Sequence, residues 1–197
     1  MSIRFDVATG ADVAKYIDQL ARLRIEVFRE YPYLYDGDLA YEQTYLESYA
    51  ASPASTLVIA MADGRVVGAS TALPLAQHSD DVVPPLVAAG FPPDAVYYFG
   101  ESVLEPAYRG KGMGETFFVE REARARSLGF PFAAFCAIQR PSGDPRAPAD
   151  YRPRGALWSR HGFVRRPDIV AQFSWRDVGD SSETIKPMVF WIKALRP

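Results

Sequence analysis

The sequence predicts a mixed α/β (α+β) domain, one sheet with helices on its faces. Two observations carry that expectation. Runs with a period of two and runs with a period of 3.6 alternate in the order β, α, α, β, β, β, α, β, α, β, β. The chain has 197 residues and shows no internal repeat, low-complexity tract or linker, so residues 1–197 read as one domain. At that length roughly 70% of the unfolded chain's surface can be buried, enough for a real core.

Each element has its own signal. Ile3, Phe5 and Val7 alternate with Arg4 and Asp6, the mark of a short strand. Thr9 or Asp12 can cap the first helix. Val13, Ile17, Leu20, Leu23, Val27 and Phe28 recur at helical spacing, so that helix is expected over residues 12–29. After a loop from Tyr31 to Asp38, residues 39–49 read as a second helix with Tyr45 and Tyr49 on one side. Residues 57–61 and 66–73 read as strands joined at Asp63-Gly64, a strong hairpin signal because glycine accepts positive φ. Residues 74–94 hold five prolines and no clear period, so a plain connection is expected. Residues 96–104 are strand-like, and Pro106 closes the strand because it cannot donate to a ladder. Residues 112–128 read as a helix with Gly129 at its C′ position. Residues 132–138 form a strand, the proline-rich stretch 141–153 a loop, and 156–161 a short helix ended by Gly162. The last two strands are expected over 169–175 and 188–192, joined by a polar turn at Gly179-Asp180-Ser181.

Composition narrows the function classes. The formal charge is −2, so nothing draws the whole chain to nucleic acid or to an anionic membrane. The single cysteine, Cys136, rules out an internal disulfide framework and fits a reducing compartment. No early stretch reads as a signal peptide and no run approaches 18 apolar residues. A cytoplasmic enzyme or binding domain is the expectation.

The chemistry concentrates at Arg109-Gly110-Lys111-Gly112-Met113-Gly114. A strand ends just before it and a helix starts within it. Glycines at alternate positions free successive backbone N–H groups to face one point, and the helix adds its positive end. Arg109 and Lys111 add positive charge. That arrangement cradles a pyrophosphate. A Walker A loop would need Ser or Thr after Lys111, where Gly112 stands. A Rossmann fingerprint would need a third glycine at position 115, where Glu115 stands.

The run from Leu104 to Gly114 resembles motif A of the GNAT family of N-acetyltransferases, Arg/Gln-x-x-Gly-x-Gly/Ala behind a strand and a proline. The Asp63-Gly64 hairpin with Val67-Gly68 is similar to the family's second and third strands. Leu157-Trp158-Ser159-Arg160-His161-Gly162-Phe163 is similar to its late helix. The resemblance covers nearly the whole chain. It implies a mostly antiparallel sheet with a splayed central strand pair, acetyl-CoA as co-substrate with no metal, and transfer of an acetyl group to an amine. Backbone groups of Arg109, Gly110, Lys111, Gly112, Met113, Gly114 and Glu115 would hold the pyrophosphate. Those of Val103 and Leu104, and of Ser102, would hold the pantetheine arm.

Acyl transfer needs a base, because a free amine with a pKa of about 10 is mostly protonated at neutral pH. Glu101 is the candidate base, since it lies on the motif strand near the expected thioester; the alternative is a charged strand residue in an ion pair. Tyr98 and Tyr97 come second, with packing or pocket lining as the competing role. A strand N–H near Leu104 is the candidate oxyanion donor. The resemblance places the usual tyrosine acid at position 158, which is Trp158 here, and Tyr151 is the candidate replacement. The acceptor is expected to be a small amine, with a peptide as the alternative. Tyr31, Tyr33, Tyr35, Asp36, Asp38, Tyr41 and Glu42 are expected to border its pocket, because tyrosine faces and carboxylates suit a cation. The rival to the enzyme is a non-catalytic coenzyme-sensing or protein-interaction module of the same fold. The family's habit suggests a homodimer.

Other candidates are weaker. His78 and His161 have no ligand spacing with Cys136 or a carboxylate, so no metal is expected. Cys136 reads as a small hydrophobe within a strand. Arg124 and Arg126 read as a solvated helix face. Arg121 interrupts the apolar stripe Met113, Phe117, Ala125, Leu128 and is expected to snorkel outward or to mark an exposed stretch.

Overall fold

A computed structural model describes residues 3–78 and 81–195. Seven strands form one sheet: β1 (Ile3–Ala8), β2 (Thr56–Ala62), β3 (Arg65–Pro74), β4 (Val96–Leu104), β5 (Phe132–Ile138), β6 (Val164–Trp175) and β7 (Thr184–Ala194). Their order across the sheet is β1-β2-β3-β4-β5-β7-β6, and all neighbours are antiparallel except the pair β4–β5. The helices are α1 (Ile17–Phe28), α2 (Leu39–Ala51), α3 (Val83–Ala88), α4 (Met113–Ser127) and α5 (Gly155–Arg160).

The inner strands are apolar on both faces because both are covered. Leu57 and Ile59 of β2 join Leu20, Leu23, Leu46 and Tyr49 under α1 and α2. Val58 and Ala60, pointing the other way, join Met113 and Phe117 of α4. The same alternation continues through β4, where Val96 and Tyr98 face the α3 side and Tyr97 and Phe99 face α4. Strong local signals fix the joints. Asp63 and Gly64 both take positive φ, 50° and 79°, as a tight two-residue hairpin requires. Gly129, at φ 80°, ends α4 with its N–H on the Arg126 carbonyl and the next N–H on the Ala125 carbonyl.

Several expectations need correction. The helix expected over 12–29 opens as a 3₁₀ segment, Gly10–Tyr16, before the α-helix takes over. The connection over 74–94 contains α3, whose Pro84 and Pro85 sit in the first turn, where a missing N–H does no harm. The last two strands extend well beyond their apolar centres, because their flanks pair as a long ribbon with polar outward residues. Arg121 neither snorkels nor is exposed: it is 2% accessible, and the α4 stripe continues through it, with Leu128 the partly exposed member. No helix among the described residues is long and apolar enough to cross a membrane.

Candidate active site

The site begins where β4 and β5 part. Their parallel ladder runs only from Val96–Phe132 to Tyr98–Ala134. Beyond it β4 stays with β3 and β5 stays with β7, so a cleft opens between the two strands. One wall is Phe99, Gly100, Glu101, Ser102 and Leu104, and the other is Phe135 to Ile138.

A β-bulge aims the residues of this cleft. Opposite β3, Ser102 pairs with Ser70 but Phe99 pairs with Ala72, so Gly100 and Glu101 together face Thr71. The extra residue inverts the strand's phase. Tyr97 and Phe99 lie under α4, and plain alternation would put Glu101 there as well. Instead Glu101 and Val103 face α1 and α2, while Ser102 and Leu104 face α4. Gly100 is required: a Cβ there would overlap the Tyr49 hydroxyl and come within 2.5 Å of Thr71 Oγ1. Arg121 holds the bulge from below. Its guanidinium donates to the carbonyls of Thr71 and Glu101 at 3.2 Å each and to Ser102 Oγ at 2.8 Å, and lies 4.3 Å from the Phe99 ring centre. Burial lowers its pKa to about 9, which still leaves it charged at neutral pH.

On the far face Glu101 meets Arg24 of α1, and Arg24 also pairs with Glu42 of α2. Burial alone would lower the Arg24 pKa, but Glu101, Tyr45 and Glu42 together raise it well above its ordinary value. Two carboxylates thus share one cation, and Oε1 of both Glu42 and Glu101 is buried without a hydrogen-bond partner. The cluster lies against a larger cavity of about 670 Å³, bordered by Tyr33, Tyr35, Tyr41, Tyr45, Phe173 and Trp175. The cleft and this cavity meet at Phe28, Tyr33, Gly100, Glu101 and Cys136. Glu101 is the carboxylate common to both.

The glycine loop closes the opposite end of the cleft. Gly110 and Gly112 take φ of 74° and 82°, and Gly112 is the N-cap of α4. A Cβ on Gly110, Gly112 or Gly114 would meet nothing within 4 Å. Among the described residues the amide groups of Gly110 through Gly114 donate no hydrogen bond to protein, so bare N–H groups and a helix N-terminus face open space. A diphosphate fits that surface. The two cations, however, turn back. Arg109 donates to the Leu104 carbonyl at 2.9 Å and to Glu30 at 2.7 Å, and Lys111 to the Ala107 carbonyl at 2.9 Å. Arg109 braces the loop against β4 and the chain just past α1, and Lys111 ties the loop to itself.

The other candidate residues divide. Because Glu105 N–H bonds the Val67 carbonyl, the ladder's alternation turns the amide groups of Val103 to β3 and those of Ser102 and Leu104 to the open side. Tyr97 borders neither cavity, and its hydroxyl is spent on Thr56 Oγ1 and the Ala54 carbonyl at 2.7 Å each. Tyr98 borders the large cavity with its hydroxyl 3.0 Å from Cys136 Sγ, and burial with the thiol beside it raises its pKa well above the ordinary value. Burial likewise pushes the Cys136 thiol up to about 12. Tyr151 lies in the cleft with Tyr31, and burial raises its pKa too. Trp158 packs edge-on against Phe135 and Trp191 at 5.2 and 5.0 Å and also lines the cleft. Of the expected acceptor loop, Tyr31 borders the cleft, and Tyr33, Tyr35, Asp36, Asp38, Tyr41 and Glu42 border the large cavity. Glu115 stands 66% exposed at the helix start, 3.5 Å from His161.

Reasoning from sequence missed Arg24, Arg121 and the bulge. Gly100 within an otherwise apolar strand was the available signal for the bulge. Nothing local marks Arg24, which sits on a helical face beside charged neighbours. Among the described residues no group of three or more His, Cys, Asp or Glu could hold a metal ion.

No family model and no curated protein sequence matches the chain. Solved structures do. An N-acetyltransferase from Staphylococcus aureus Mu50 aligns over 100% of both chains with a TM-score of 0.63 and 12% identity. An acetyltransferase of the GNAT family from Streptococcus pneumoniae aligns over 98% of this chain and 99% of its own, TM-score 0.60, 13% identity. The PaiA N-acetyltransferase from Thermoplasma acidophilum, solved in complex with coenzyme A, aligns over 98% and 99%, TM-score 0.54, 13% identity. Identities this low speak to architecture, and the architecture agrees from end to end: the chain has the GNAT acetyltransferase fold.

Proposed function

We propose that the protein moves an acetyl group from acetyl-CoA to a primary amine of a small molecule or peptide, by direct transfer in a ternary complex. The observation that carries this reading is the path from the bare amides of Gly110–Gly114, along the cleft between β4 and β5, to Glu101 at the mouth of a second cavity. The likeness to a protein solved with coenzyme A supports it.

The bound coenzyme would supply an activated acetyl carbonyl. The amides of Gly110–Gly114 and the α4 N-terminus would hold its diphosphate. Ser102 and Leu104, whose amide groups face the open side of β4, would align the pantetheine arm. Glu101 takes a proton from the incoming amine, directly or through water, so that the nitrogen lone pair can form the C–N bond. A strand N–H of β4 near Leu104 stabilises the oxyanion as it develops. The C–S bond then breaks, the acylated nitrogen gives up its second proton to water, and the sulfur takes up a proton. Tyr151, which borders the cleft and is protonated at neutral pH, is the candidate to deliver it. Tyr98 serves as a wall of the acceptor cavity, since its raised pKa unfits it as a base.

One observation favours a second reading. Trp158 occupies the late-helix position where a phenol would stand and is packed among aromatic rings, as suits a module that binds coenzyme without turnover. Both readings expect a thermal shift with acetyl-CoA, and only the enzyme releases free thiol when an amine is added. Glu101→Gln should lower that release about 10²–10⁴-fold, the usual contribution of a positioned base. Release unchanged in the variant would remove Glu101 from the reaction.

A further inference from the structure

We infer that the large cavity is built for an organic dication: the acceptor is a diamine, one amino group to be acylated at Glu101, the other remaining charged within the cavity. The role of the first amino group rests on the acyl-transfer reading above. The preference for a second positive charge stands on the cavity's own atoms.

Charge points to a cation first. Five carboxylates border the cavity, those of Asp36, Asp38, Glu42, Glu101 and Glu183, against the two guanidiniums of Arg24 and Arg176. Burial, with Arg24 nearby, lowers the His78 pKa to about 4, so its ring adds no charge at neutral pH. The lining is therefore net negative by three, of which Arg29, pairing with Asp36 at 3.2 Å from outside the lining, offsets one. Low-dielectric walls focus such a field and favour cations of more than one charge.

Hydrogen bonding points the same way. Glu42 is fully buried and Glu101 nearly so, and Oε1 of each lacks a well-formed hydrogen bond, with the Tyr35 hydroxyl a neutral donor acting on the Glu42 carboxylate. A buried carboxylate oxygen without a donor costs free energy, and native proteins rarely leave one. Here two lie beside one another on the same guanidinium, against an open cavity. The Glu101 side chain is 3% accessible and that of Glu42 fully shielded, so a donor arriving with a ligand meets Glu101 first and Glu42 adds its charge from behind. A single ammonium can serve one carboxylate while its partner nitrogen approaches the thioester.

The cations of the lining exclude the rival class. An amino acid or other carboxylate-bearing amine needs a cation to receive its carboxylate. Arg24 already serves Glu42 and Glu101, and Arg176 binds Asp36 Oδ2 at 2.6 Å. Among the described residues bordering the cavity, each guanidinium is already paired with a carboxylate. An anion entering there would face the excess negative charge alone. The walls suit the opposite sign: Tyr33, Tyr35, Tyr41 and Trp175 offer ring surface to a cation and its methylene chain.

The test uses the full chain and three matched series of increasing chain length: α,ω-diamines, the corresponding monoamines and the corresponding ω-amino acids. Calorimetric affinity and amine-dependent thiol release are read for each, with acetyl-CoA binding measured separately. At the best length the diamine should bind about tenfold or more tighter than its monoamine, and the amino acid should not bind. Glu42→Gln should erase most of that preference and leave the acetyl-CoA thermal shift intact. If that variant fails to fold, the ranking with the unaltered chain decides alone. A monoamine equal to its diamine at every length, or an amino acid that binds as well, overturns the inference. Diamine binding without any acetyl-CoA binding would sink the acyl-transfer reading and keep the cation site. Acetyl-CoA binding with a flat amine ranking would do the reverse.

Discussion

Gly100 shows how much one residue can decide. It has no Cβ because Tyr49 and Thr71 fill the space where one would go, and that contact is where β4 carries its extra residue. Gly100→Ala should destabilise the fold by about 2 kcal/mol through overpacking, visible as a lower midpoint in urea. It should also reduce acetyl transfer further than the stability loss explains, because the bulge determines which face receives Glu101. Arg121→Met tests the same point from the other side. It leaves the carbonyls of Thr71 and Glu101 and the Ser102 hydroxyl without their donor, at a cost of about 2–3 kcal/mol. An Arg121→Met chain as stable as the parent would show that the guanidinium does not hold the bulge. At this scale the sequence is legible only in part. Glu101 stands out as an acid on an apolar strand, but strict alternation assigns it to the wrong face. Arg121 reads as a surface residue, because nothing within α4 announces that three acceptors on other elements await it.

At the scale of elements, the glycine loop and hairpin were legible because their signals are local: positive φ at Gly64, Gly110, Gly112 and Gly129 comes from what glycine alone tolerates. The α3 helix was not, because prolines read as breakers unless the helix start is already known. Also illegible was the clasp that joins the long loop after β5 to the loop between α1 and α2. Arg140 grips Asp177 at 2.7 and 3.0 Å and donates to the carbonyls of Pro32 and Tyr33, while Arg146 and Lys186 approach Asp177 at 2.8 and 3.2 Å. Burial pushes the Asp177 carboxyl up, but these cations outweigh it and hold its pKa below the ordinary value. A carboxylate with a depressed folded pKa adds stability that is full above the unfolded value of about 3.9 and is lost as pH falls through the folded one. Asp177→Asn should therefore cost about 3 kcal/mol at pH 7, since it leaves buried cations unpaired. That is a drop of about 6–12 °C in Tm for a chain of this size. Thermal melts repeated in increasingly acid buffer should see the two chains converge once Asp177 is protonated. A gap that persists unchanged into strong acid would mean that charge is not what the clasp uses.

For the whole molecule, the sheet gives each part its task. Parallel pairing of β4 and β5 stops at Tyr98, and the separation creates the cleft. The glycine loop closes one end of it, and at Glu101 the other end opens onto the cavity that the Glu42–Arg24–Glu101 cluster borders. The sequence carried the loop by composition and the cleft only by resemblance, because strand separation is a property of two distant segments and leaves no local mark. The proposed function depends on bare amides around Gly110–Gly114 gripping the diphosphate of acetyl-CoA. Gly114 offers the cleanest test: it borders the cleft, no atom lies within 4 Å of a Cβ placed on it, and its place inside α4 needs no positive φ. Gly114→Leu should keep or slightly raise Tm, since leucine is the better helix former by about half a kcal/mol or more, while filling the space the diphosphate needs. The decisive measurement is calorimetric titration of acetyl-CoA into the unaltered chain and into Gly114→Leu. Saturable binding to the first and none to the folded second is expected. Equal binding by both, or none by the unaltered chain, would show that these amides do not hold the coenzyme.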